Sequence, residues 1–201
     1  MSNPREIKRK KIIDAATELF GLYGYGASMD SIAKLADVSK QTLYAHFKKK
    51  DALFLQCMKE KVLSYQINKL VFDRDLPIEK VLLGFAREFH STLLKPGALQ
   101  TYRNAVSQIE NHPEFASTYL EHGPEKTLLV MAEYLSDKEK DGTISLGIPC
   151  EDAAIQLLLM FHGKTVYWQY LGAENRQTEE QRDNYLKSCV DMFLNQVRVN
   201  N

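Results

Sequence analysis

The stretch from Ser28 to Phe54 constrains the fold of this chain more than any other part of it. It holds two short apolar runs at helical spacing, the first of which consists of Met29, Ile32, Ala33 and Ala36. Ser28 precedes the first run and Ser39 the second, and serine there can accept hydrogen bonds from the free amides of a helix N-terminus. Asp37 lies between the runs, and aspartate tolerates the left-handed conformation of a tight turn. The pattern predicts two short helices that cross steeply, one ending near Asp37 and the next running from Lys40 to about Phe47.

The second predicted helix has an apolar and a polar side. Val38, Leu43 and Phe47 are expected to point inward. The outward side chains can hydrogen-bond base edges or phosphates of DNA, and they are Lys40, Gln41, Thr42, Tyr44 and His46. Lysines at positions 48 to 50 follow where a duplex backbone would pass. We interpret the segment as a DNA-reading motif rather than a surface hairpin with solvated lysines, because caps, periodicity and basic residues coincide.

The same segment resembles the TetR family of transcriptional regulators over about the first quarter of the chain. The matching residues are Phe20, Gly24-Tyr25, Ser28-Met29-Asp30, Ile32-Ala33, Val38-Ser39, Thr42-Leu43-Tyr44, His46-Phe47, Lys50 and Ala52-Leu53-Phe54. Two positions depart from the commonest form of the family. Asp37 stands where a glycine is frequent in the turn, and Lys49 stands where a serine often caps the next helix; both are compatible with the fold.

The resemblance implies which residues meet DNA. It implies phosphate contacts for Ser28, Tyr44, His46 and Lys50, and a groove-facing position for Lys40, Gln41 and Thr42. Together with Ser39 and Lys48 these residues form the predicted DNA interface. Any of the groove-facing residues can read a base, and the sequence does not distinguish among them.

Charge is distributed unevenly along the chain. The 201 residues carry a formal net charge of +0, but residues 1 to 50 hold ten Lys and Arg against five Asp and Glu, leaving sixteen against twenty-one beyond them. The first part is therefore at +5 and the remainder at −5, so overall neutrality does not argue against DNA binding. The most N-terminal basic residues are Arg5, Lys8, Arg9, Lys10 and Lys11. They precede an amphipathic helix that ends at Gly24, and either reach DNA as an arm or form a frayed, solubilising terminus.

From Asp51 onward the periodicity stays helical, and proline or glycine punctuates it. The predicted helices cover residues 51–72, 78–94, 97–111, 113–136, 151–171 and 178–197. The sequence thus predicts an all-α fold in which a three-helix DNA-binding domain at 1–50 precedes a larger helical bundle at 51–201. The second domain is expected to bind an effector and to dimerise.

The last two predicted helices carry apolar faces broader than a single-sided contact requires. A subunit interface would bury the surplus, and the resembling family forms a four-helix bundle between protomers from these helices. The candidate interface residues are Leu157, Phe161, Thr165, Leu186, Cys189 and Phe193. The alternative is that both faces are internal core.

The middle helices are rich in aromatic and mixed polar residues, and in the resembling family this region encloses an effector pocket. The candidate pocket residues are Phe85, Phe89, Tyr102, Arg103, Glu110, Tyr119, Met131, Tyr134, Phe161, Tyr167 and Trp168. Most of them serve equally well as core, and Arg103 with Glu110 as a surface pair. A weaker resemblance to an AefR-like C-terminal domain is carried by Arg103, His112-Pro113-Glu114, Gly123-Pro124, Ala153-Ala154 and Gly163.

Other classes of protein fit less well. Five scattered histidines, three distant cysteines and the lack of H-E-x-x-H or G-x-S-x-G motifs speak against an enzyme and against a metal or cofactor. A non-specific or architectural DNA-binding protein would carry positive charge over more of its surface. No apolar stretch has the length of a membrane span or signal core, so a cytoplasmic protein is expected. We therefore predict a homodimeric repressor that binds a pseudo-palindromic DNA operator and is released by a small, largely apolar or aromatic effector.

Overall fold

The computed structural model describes residues 3–65, 72–73 and 75–197. Its helices are α1 (Pro4–Tyr23), α2 (Met29–Leu35), α3 (Lys40–His46), α4 (Lys50–Ser64), α5 (Ile78–Leu93), α6 (Pro96–Ser107), α7 (Pro113–His122), α8 (Pro124–Lys140), α9 (Cys150–Tyr170) and α10 (Glu179–Val197). A 3-10 turn occupies Gly24–Gly26, and no β-strand occurs within the described ranges. The predicted all-α class is confirmed.

The described residues form two compact units. The first consists of residues 3–65 and 100–122, and the second of residues 72–73, 75–99 and 123–197. The boundary predicted after residue 50 falls inside the first unit, at the N-terminal end of α4. As a functional division it stays a prediction.

Side-chain caps start each of the first three helices. The Asn3 side chain accepts from the Arg5 amide at 3.0 Å, and Pro4 opens α1 with its fixed backbone dihedral. The Ser28 hydroxyl accepts from the Ser31 amide at 3.0 Å, and the Ser39 hydroxyl from the Thr42 amide at 3.1 Å. These bonds satisfy amides that have no partner inside the helix, so both predicted serine caps are confirmed.

The turn between α2 and α3 depends on one left-handed residue. Asp37 has φ 53°, and its position matches the predicted break in the helical pattern. The chain can therefore reverse within a few residues, which brings α3 across α2.

Two later helices complete the core of the first unit. Phe115 of α7 is fully buried, and its ring centroid lies 4.5 Å from that of Phe54 in α4. Phe54 in turn contacts Phe20 of α1 edge-on at 4.8 Å. In the C-terminal part of α6, the Asn104 amide donates to the Phe20 carbonyl at 3.2 Å. The core around α1 and α4 is therefore stabilised by residues that lie 61 to 84 positions further along the chain.

The second unit packs α5, α8, α9 and α10 around a single apolar core. Its largest fully buried side chains include Leu82, Phe85, Met131, Leu135 and Phe161. Burial of side chains of this size contributes roughly 1.5–3 kcal/mol each, which makes this core the main source of stability for the unit.

Several predicted helices end differently in the structure. The helix predicted over 113–136 is two helices, because Gly123 adopts a non-helical conformation (φ −122°, ψ −90°) and Pro124 opens α8 without an amide donor. α6 ends at Ser107 instead of Asn111. α4 ends at Ser64, and residues 66–71 of its predicted continuation lie outside the described residues.

The predicted continuous helix at 151–171 is bent at Gly163, which has φ 60° and ψ 173°. Such a bend removes carbonyl partners inside the helix, and two side chains supply donors. The Tyr185 hydroxyl donates to the Met160 carbonyl at 2.7 Å, and His90 Nδ1 lies 2.8 Å from the Phe161 carbonyl oxygen. Both interactions lie within the second unit. Among the described residues, no helix combines the length and apolar character that crossing a bilayer requires.

Candidate nucleic-acid interface

The outer face of α3 carries the side chains that were predicted to read DNA. Lys40, Gln41 and Tyr44 are exposed, whereas Leu43 and Phe47 are buried in the core of the first unit. Thr42 and His46 are half-buried at the margin of this face. The helix therefore presents polar groups outward on a rigid apolar base.

The two capping serines are also exposed, and each hydroxyl has a second partner. Ser28 Oγ lies 2.8 Å from Ser31 Oγ, and Ser39 Oγ lies 2.9 Å from Thr42 Oγ1. Their side chains are thereby oriented at the helix N-termini, where backbone amides favour an anion. This orientation suits the phosphate contact that the family resemblance implies for Ser28.

Lys40 is paired with a carboxylate, and the sequence did not predict this pairing. Its ammonium nitrogen lies 2.7 Å from Asp30 Oδ1 and 3.0 Å from Oδ2, and both side chains are exposed. The hydrogen bond to Asp30 raises the pKa of Lys40. Nothing local to α3 signals this pairing, because Asp30 belongs to α2.

Lys50 is held at the start of α4 by an aromatic ring. Its ammonium lies 4.4 Å from the centroid of the Tyr25 ring, within the range of a cation–π contact. The Tyr25 hydroxyl donates to the Asp51 carboxylate, and burial together with this bond raises the pKa of Tyr25 to about 12. Partial burial lowers the pKa of Lys50, while Asp51 opposes that effect. Lys48 is exposed beside it.

His46 lies in a groove between α3 and the N-terminal end of α1. The groove has a volume of about 420 Å³, and its lining consists of Pro4, Arg5, Lys8, Gln41, Thr42, Ala45 and His46. Partial burial lowers the pKa of His46, and the positive charges of Arg5, Arg9 and Lys8 lower it further. The basic N-terminal residues are thus helical, and two of them, Arg5 and Lys8, lie beside the predicted recognition helix.

The candidate effector residues are divided between the two units. Tyr102, Arg103, Glu110 and Tyr119 belong to the first unit, where the Tyr102 and Tyr119 rings are 6.0 Å apart. In the second unit, five candidates are buried in the core, namely Phe85, Phe89, Met131, Tyr134 and Phe161. Tyr167 and Trp168 are more than half exposed. Each unit therefore holds part of the predicted pocket set.

The core of the second unit contains polar atoms without a hydrogen-bond partner. His90 Nδ1 faces the Phe161 carbonyl, which can only accept, so Nδ1 carries the proton of a neutral ring. Burial lowers the pKa of His90 and keeps that ring neutral. Nε2 is then an acceptor, and neither it nor the Tyr134 hydroxyl has a partner among the described residues. A periodicity search passes over such groups because it treats them as part of an apolar face.

The six candidate dimer residues all lie in the core of the second unit. Leu157, Phe161, Thr165, Leu186, Cys189 and Phe193 are at most 8% exposed in the single chain. The same two helices expose other apolar side chains, namely Ile155 and Leu159 on α9 and Tyr185 and Met192 on α10. The first pair is one helical turn apart and the second two turns apart, so each pair lies along one side of its helix.

Within the described residues, no group of three or more metal-ligating side chains comes together. The features that remain are a capped recognition helix, a basic surface beside it and a separate helical unit. They define a helix-turn-helix transcriptional regulator.

Comparison with family models identifies the family of regulators to which the chain belongs. Residues 12–57 match the model described as bacterial regulatory proteins, tetR family, and residues 80–196 match the AefR-like transcriptional repressor, C-terminal domain. The chain belongs to the TetR family, and the resemblance inferred from its motifs is confirmed.

Individual relatives agree with this assignment. The chain is 28% identical over 147 residues to YhgD, an uncharacterized HTH-type transcriptional regulator of Bacillus subtilis (strain 168), covering 72% of this chain and 74% of YhgD. It is 43% identical over 60 residues to the HTH-type transcriptional activator FasR of Mycolicibacterium smegmatis (strain ATCC 700084 / mc(2)155), covering 29% of this chain and 27% of FasR.

Solved structures are similar over nearly the whole chain. A protein of Mesorhizobium loti MAFF303099 assigned to the TetR family superposes with a TM-score of 0.85 at 26% identity, covering 98% of this chain and all of its own. The flavonoid-responsive regulator FrrA superposes with a TM-score of 0.78 at 29% identity, covering 96% of this chain and 98% of its own.

Proposed function

We propose that this TetR-family regulator is a homodimeric repressor that binds a pseudo-palindromic operator and dissociates when a small aromatic effector binds its second unit. The exposed polar face of α3 carries the proposal, because its side chains are ordered by two serine caps and a buried base. Side chains positioned in this way can enter the major groove and contact base edges.

The DNA-binding part of the proposal is tested by selecting bound sequences from a random DNA pool with the purified protein. The selected sequence is then titrated against random DNA at several salt concentrations. A palindromic site bound about a thousandfold more tightly than random DNA is the result expected of a regulator. Salt-sensitive binding without a motif would instead support the non-specific alternative.

For the dimer, the proposed interface consists of the exposed apolar residues of α9 and α10. The six candidates predicted from the sequence are buried in the single chain. Leu159 and Met192 are 62% and 59% exposed in the single chain, and each lies on the same side of its helix as a second exposed apolar side chain, which is the kind of surface that a subunit interface covers. A second copy related by a two-fold axis would cover both and would match the symmetry of a palindromic site.

The effector part is supported by the chemistry of the second core. Several aromatic rings lie close together, with Phe85 and Phe89 stacked at 5.6 Å and Phe89 edge-on to His162 at 5.8 Å. His90 Nε2 adds a buried acceptor for which the described part of the chain supplies no donor. An aromatic ligand that carries a hydroxyl group would match the aromatic rings and would donate a hydrogen bond to Nε2. The similarity to a flavonoid-responsive protein favours such a ligand.

The effector is tested with a polyhydroxylated flavone and with unsubstituted flavone as the matched probe lacking a donor. We expect the hydroxylated compound to release the selected operator and to raise the melting temperature of the protein, and flavone to do so at least tenfold less effectively. A His90→Phe variant should lose this preference. Equal action of both compounds, or of neither, would contradict the proposed ligand chemistry and leave the DNA-binding proposal unaffected.

Repression rather than activation is supported by the match of residues 80–196 to a repressor domain. The likeness to FasR, an activator, is confined to 60 residues. A reporter gene under the selected operator distinguishes repression from activation, because a repressor lowers the expression of the reporter until the effector is added.

A further inference from the structure

We propose that the first two turns of α1 form a second DNA-contact element, which binds a backbone phosphate at the edge of the major groove that α3 enters. Arg5 and Lys8 are the residues that would hold this phosphate, beside His46. The inference rests on the proposed DNA-binding function and adds a site outside the helix-turn-helix motif.

The basic residues are held in place by a helix. α1 begins at Pro4, and the Asn3 cap bonds the Arg5 amide at 3.0 Å. A helical segment loses less conformational entropy on binding than an extended arm, so its side chains can reach one fixed site. The two alternatives left open by the sequence, a flexible arm and a frayed terminus, are thus replaced by a rigid element.

The geometry brings this element to α3. Arg5 and Lys8 line the groove of about 420 Å³ together with Gln41, Thr42 and His46. The guanidinium of Arg9, one turn beyond Arg5, lies 5.1 Å from the centroid of the Phe47 ring, which fixes the same side of α1 against the end of α3. Because Gln41 belongs to the face predicted to enter the major groove, an anion in this groove would lie at the edge of that face.

The electrostatics of the groove favour an anion. Among its seven lining residues, all within the described part of the chain, two are permanently cationic and none is a carboxylate. The pKa of His46 is lowered first by partial burial and then by the positive charges of Arg5, Arg9 and Lys8, so these cations lie close enough to act on the groove. A DNA phosphate supplies the missing negative charge, and charge-assisted bonds to arginine and lysine are the common form of backbone contact.

The same helix offers a matched control. With about 100° between successive residues, Lys8 and Arg9 lie within about 60° of Arg5 on the helix surface, whereas Lys10 lies about 140° away. Lys10 is exposed and has the same charge as Lys8 but faces away from the groove lining. Lys8→Gln and Lys10→Gln therefore remove the same charge from different sides of the same helix.

The experiment titrates the selected operator with the full-length wild type, R5Q, K8Q, the R5Q/K8Q double variant and K10Q over a range of salt concentrations. Each lost phosphate contact should reduce the slope of log affinity against log salt by about 0.9, which is about a five- to tenfold loss of affinity near 0.1–0.15 M salt. K10Q should keep the wild-type slope. Ethylation interference should show one phosphate whose ethylation weakens binding of the wild type. This interference should disappear in the double variant only.

The outcomes separate this inference from the proposed function. A wild-type protein that selects no site overturns the proposed function, and this inference with it. A wild-type protein that selects a site, with a double variant matching K10Q in slope and interference pattern, overturns the inference alone. If the variants prefer a different DNA motif while the slope of log affinity against log salt is unchanged, the phosphate assignment is overturned, because this result indicates that these residues read bases. Far-UV circular dichroism checks that the variants, whose side chains are exposed, remain folded.

Discussion

The hydroxyl of Tyr185 in α10 donates a hydrogen bond to the backbone carbonyl of Met160 in α9, at 2.7 Å. This carbonyl lies next to the bend at Gly163, and the Tyr185 ring covers the inner side of the bend. On the same side of the bend, His90 Nδ1 of α5 donates to the carbonyl of the next residue, Phe161. The bend is therefore part of the packing of the second unit, since residues from two neighbouring helices satisfy the carbonyls that it exposes.

Replacing Gly163 by alanine should destabilise the protein. A Cβ there would lie 2.9 Å from Tyr185 Cε1, and the backbone has φ +60°, which side chains disfavour. We expect a loss of about 1–3 kcal/mol in the free energy of unfolding, measured by chemical denaturation.

Gly84→Ala is the matched control, because Gly84 lies within α5 and no atom comes within 4 Å of its added Cβ. It should be neutral or stabilise by up to about 1 kcal/mol through helix propensity. If both variants unfold alike, the bend is not the constraint described above.

The location of this bend shows why the sequence predicts some features and misses others. The caps at Ser28 and Ser39 and the turn at Asp37 depend on contacts within three residues, so local rules identify them. The bend at Gly163 depends on His90 and Tyr185, which are distant in sequence, and the apolar spacing of α9 continues through it. The break at Gly123-Pro124 did have a local signal, which the amphipathic pattern on either side outweighed.

The site shows the same division. The outward residues of α3 follow from helical spacing alone. The pairing of Lys40 with Asp30, the support of Lys50 by Tyr25 and the groove formed with α1 are contacts between helices, and spacing within one helix does not determine them. The sequence left open whether the face with Leu157 and Phe161 is internal core or a subunit interface for a related reason, since an apolar face does not reveal whether its partner is the same chain or another.

Asp30→Asn should weaken discrimination between the operator and random DNA. Asp30 holds the Lys40 ammonium and would place a negative charge near the phosphates in the proposed complex, so its removal would free one cation for non-specific contacts. We expect binding to random DNA to strengthen about three- to tenfold, with a smaller gain for the operator.

Asp37→Asn changes the net charge by the same amount, and asparagine tolerates the positive φ at this position. It should alter the ratio of the two affinities much less than D30N does. Equal ratios for D30N and D37N would mean that only net charge matters and that the pairing with Lys40 does not.

Operator affinity should increase as the pH falls through the range in which His46 titrates. In the free protein, partial burial together with Arg5, Arg9 and Lys8 lowers the pKa of His46 below its ordinary value of about 6.5. A bound phosphate would raise that pKa, so binding would take up a proton and acidification would favour the complex. Fluorescence anisotropy between about pH 8 and pH 6 should show this dependence, and His46→Gln should reduce it. If the dependence of operator affinity on pH is unchanged in H46Q, another group takes up the proton on binding.

The stability of the protein should fall on acidification for a separate reason. Burial lowers the pKa of His90 and of His162 in the folded state, so the unfolded chain binds more protons near their ordinary pKa. The stability contributed by the neutral rings is complete above about pH 6.5 and is lost as the pH falls towards the folded-state pKa values. Melting temperatures measured without DNA should drop less for His90→Gln than for the wild type, since glutamine can still donate to the Phe161 carbonyl. An equal drop in melting temperature would show that His90 does not cause the loss of stability at low pH.

Leu159→Arg should convert the proposed dimer into a monomer. Leu159 is 62% exposed on α9, and an arginine in a two-fold interface would meet its own symmetry mate or an apolar surface. Leu129→Arg is the matched control, because Leu129 is 58% exposed on α8 of the same unit. Analytical ultracentrifugation should give a dimer for the wild type and L129R and a monomer for L159R, whose operator affinity should fall at least a hundredfold. Since both leucines face solvent in the single chain, neither substitution disturbs its core. A monomer formed by L129R with L159R still dimeric would move the interface from α9 to α8, and dimers of both would exclude each position from it.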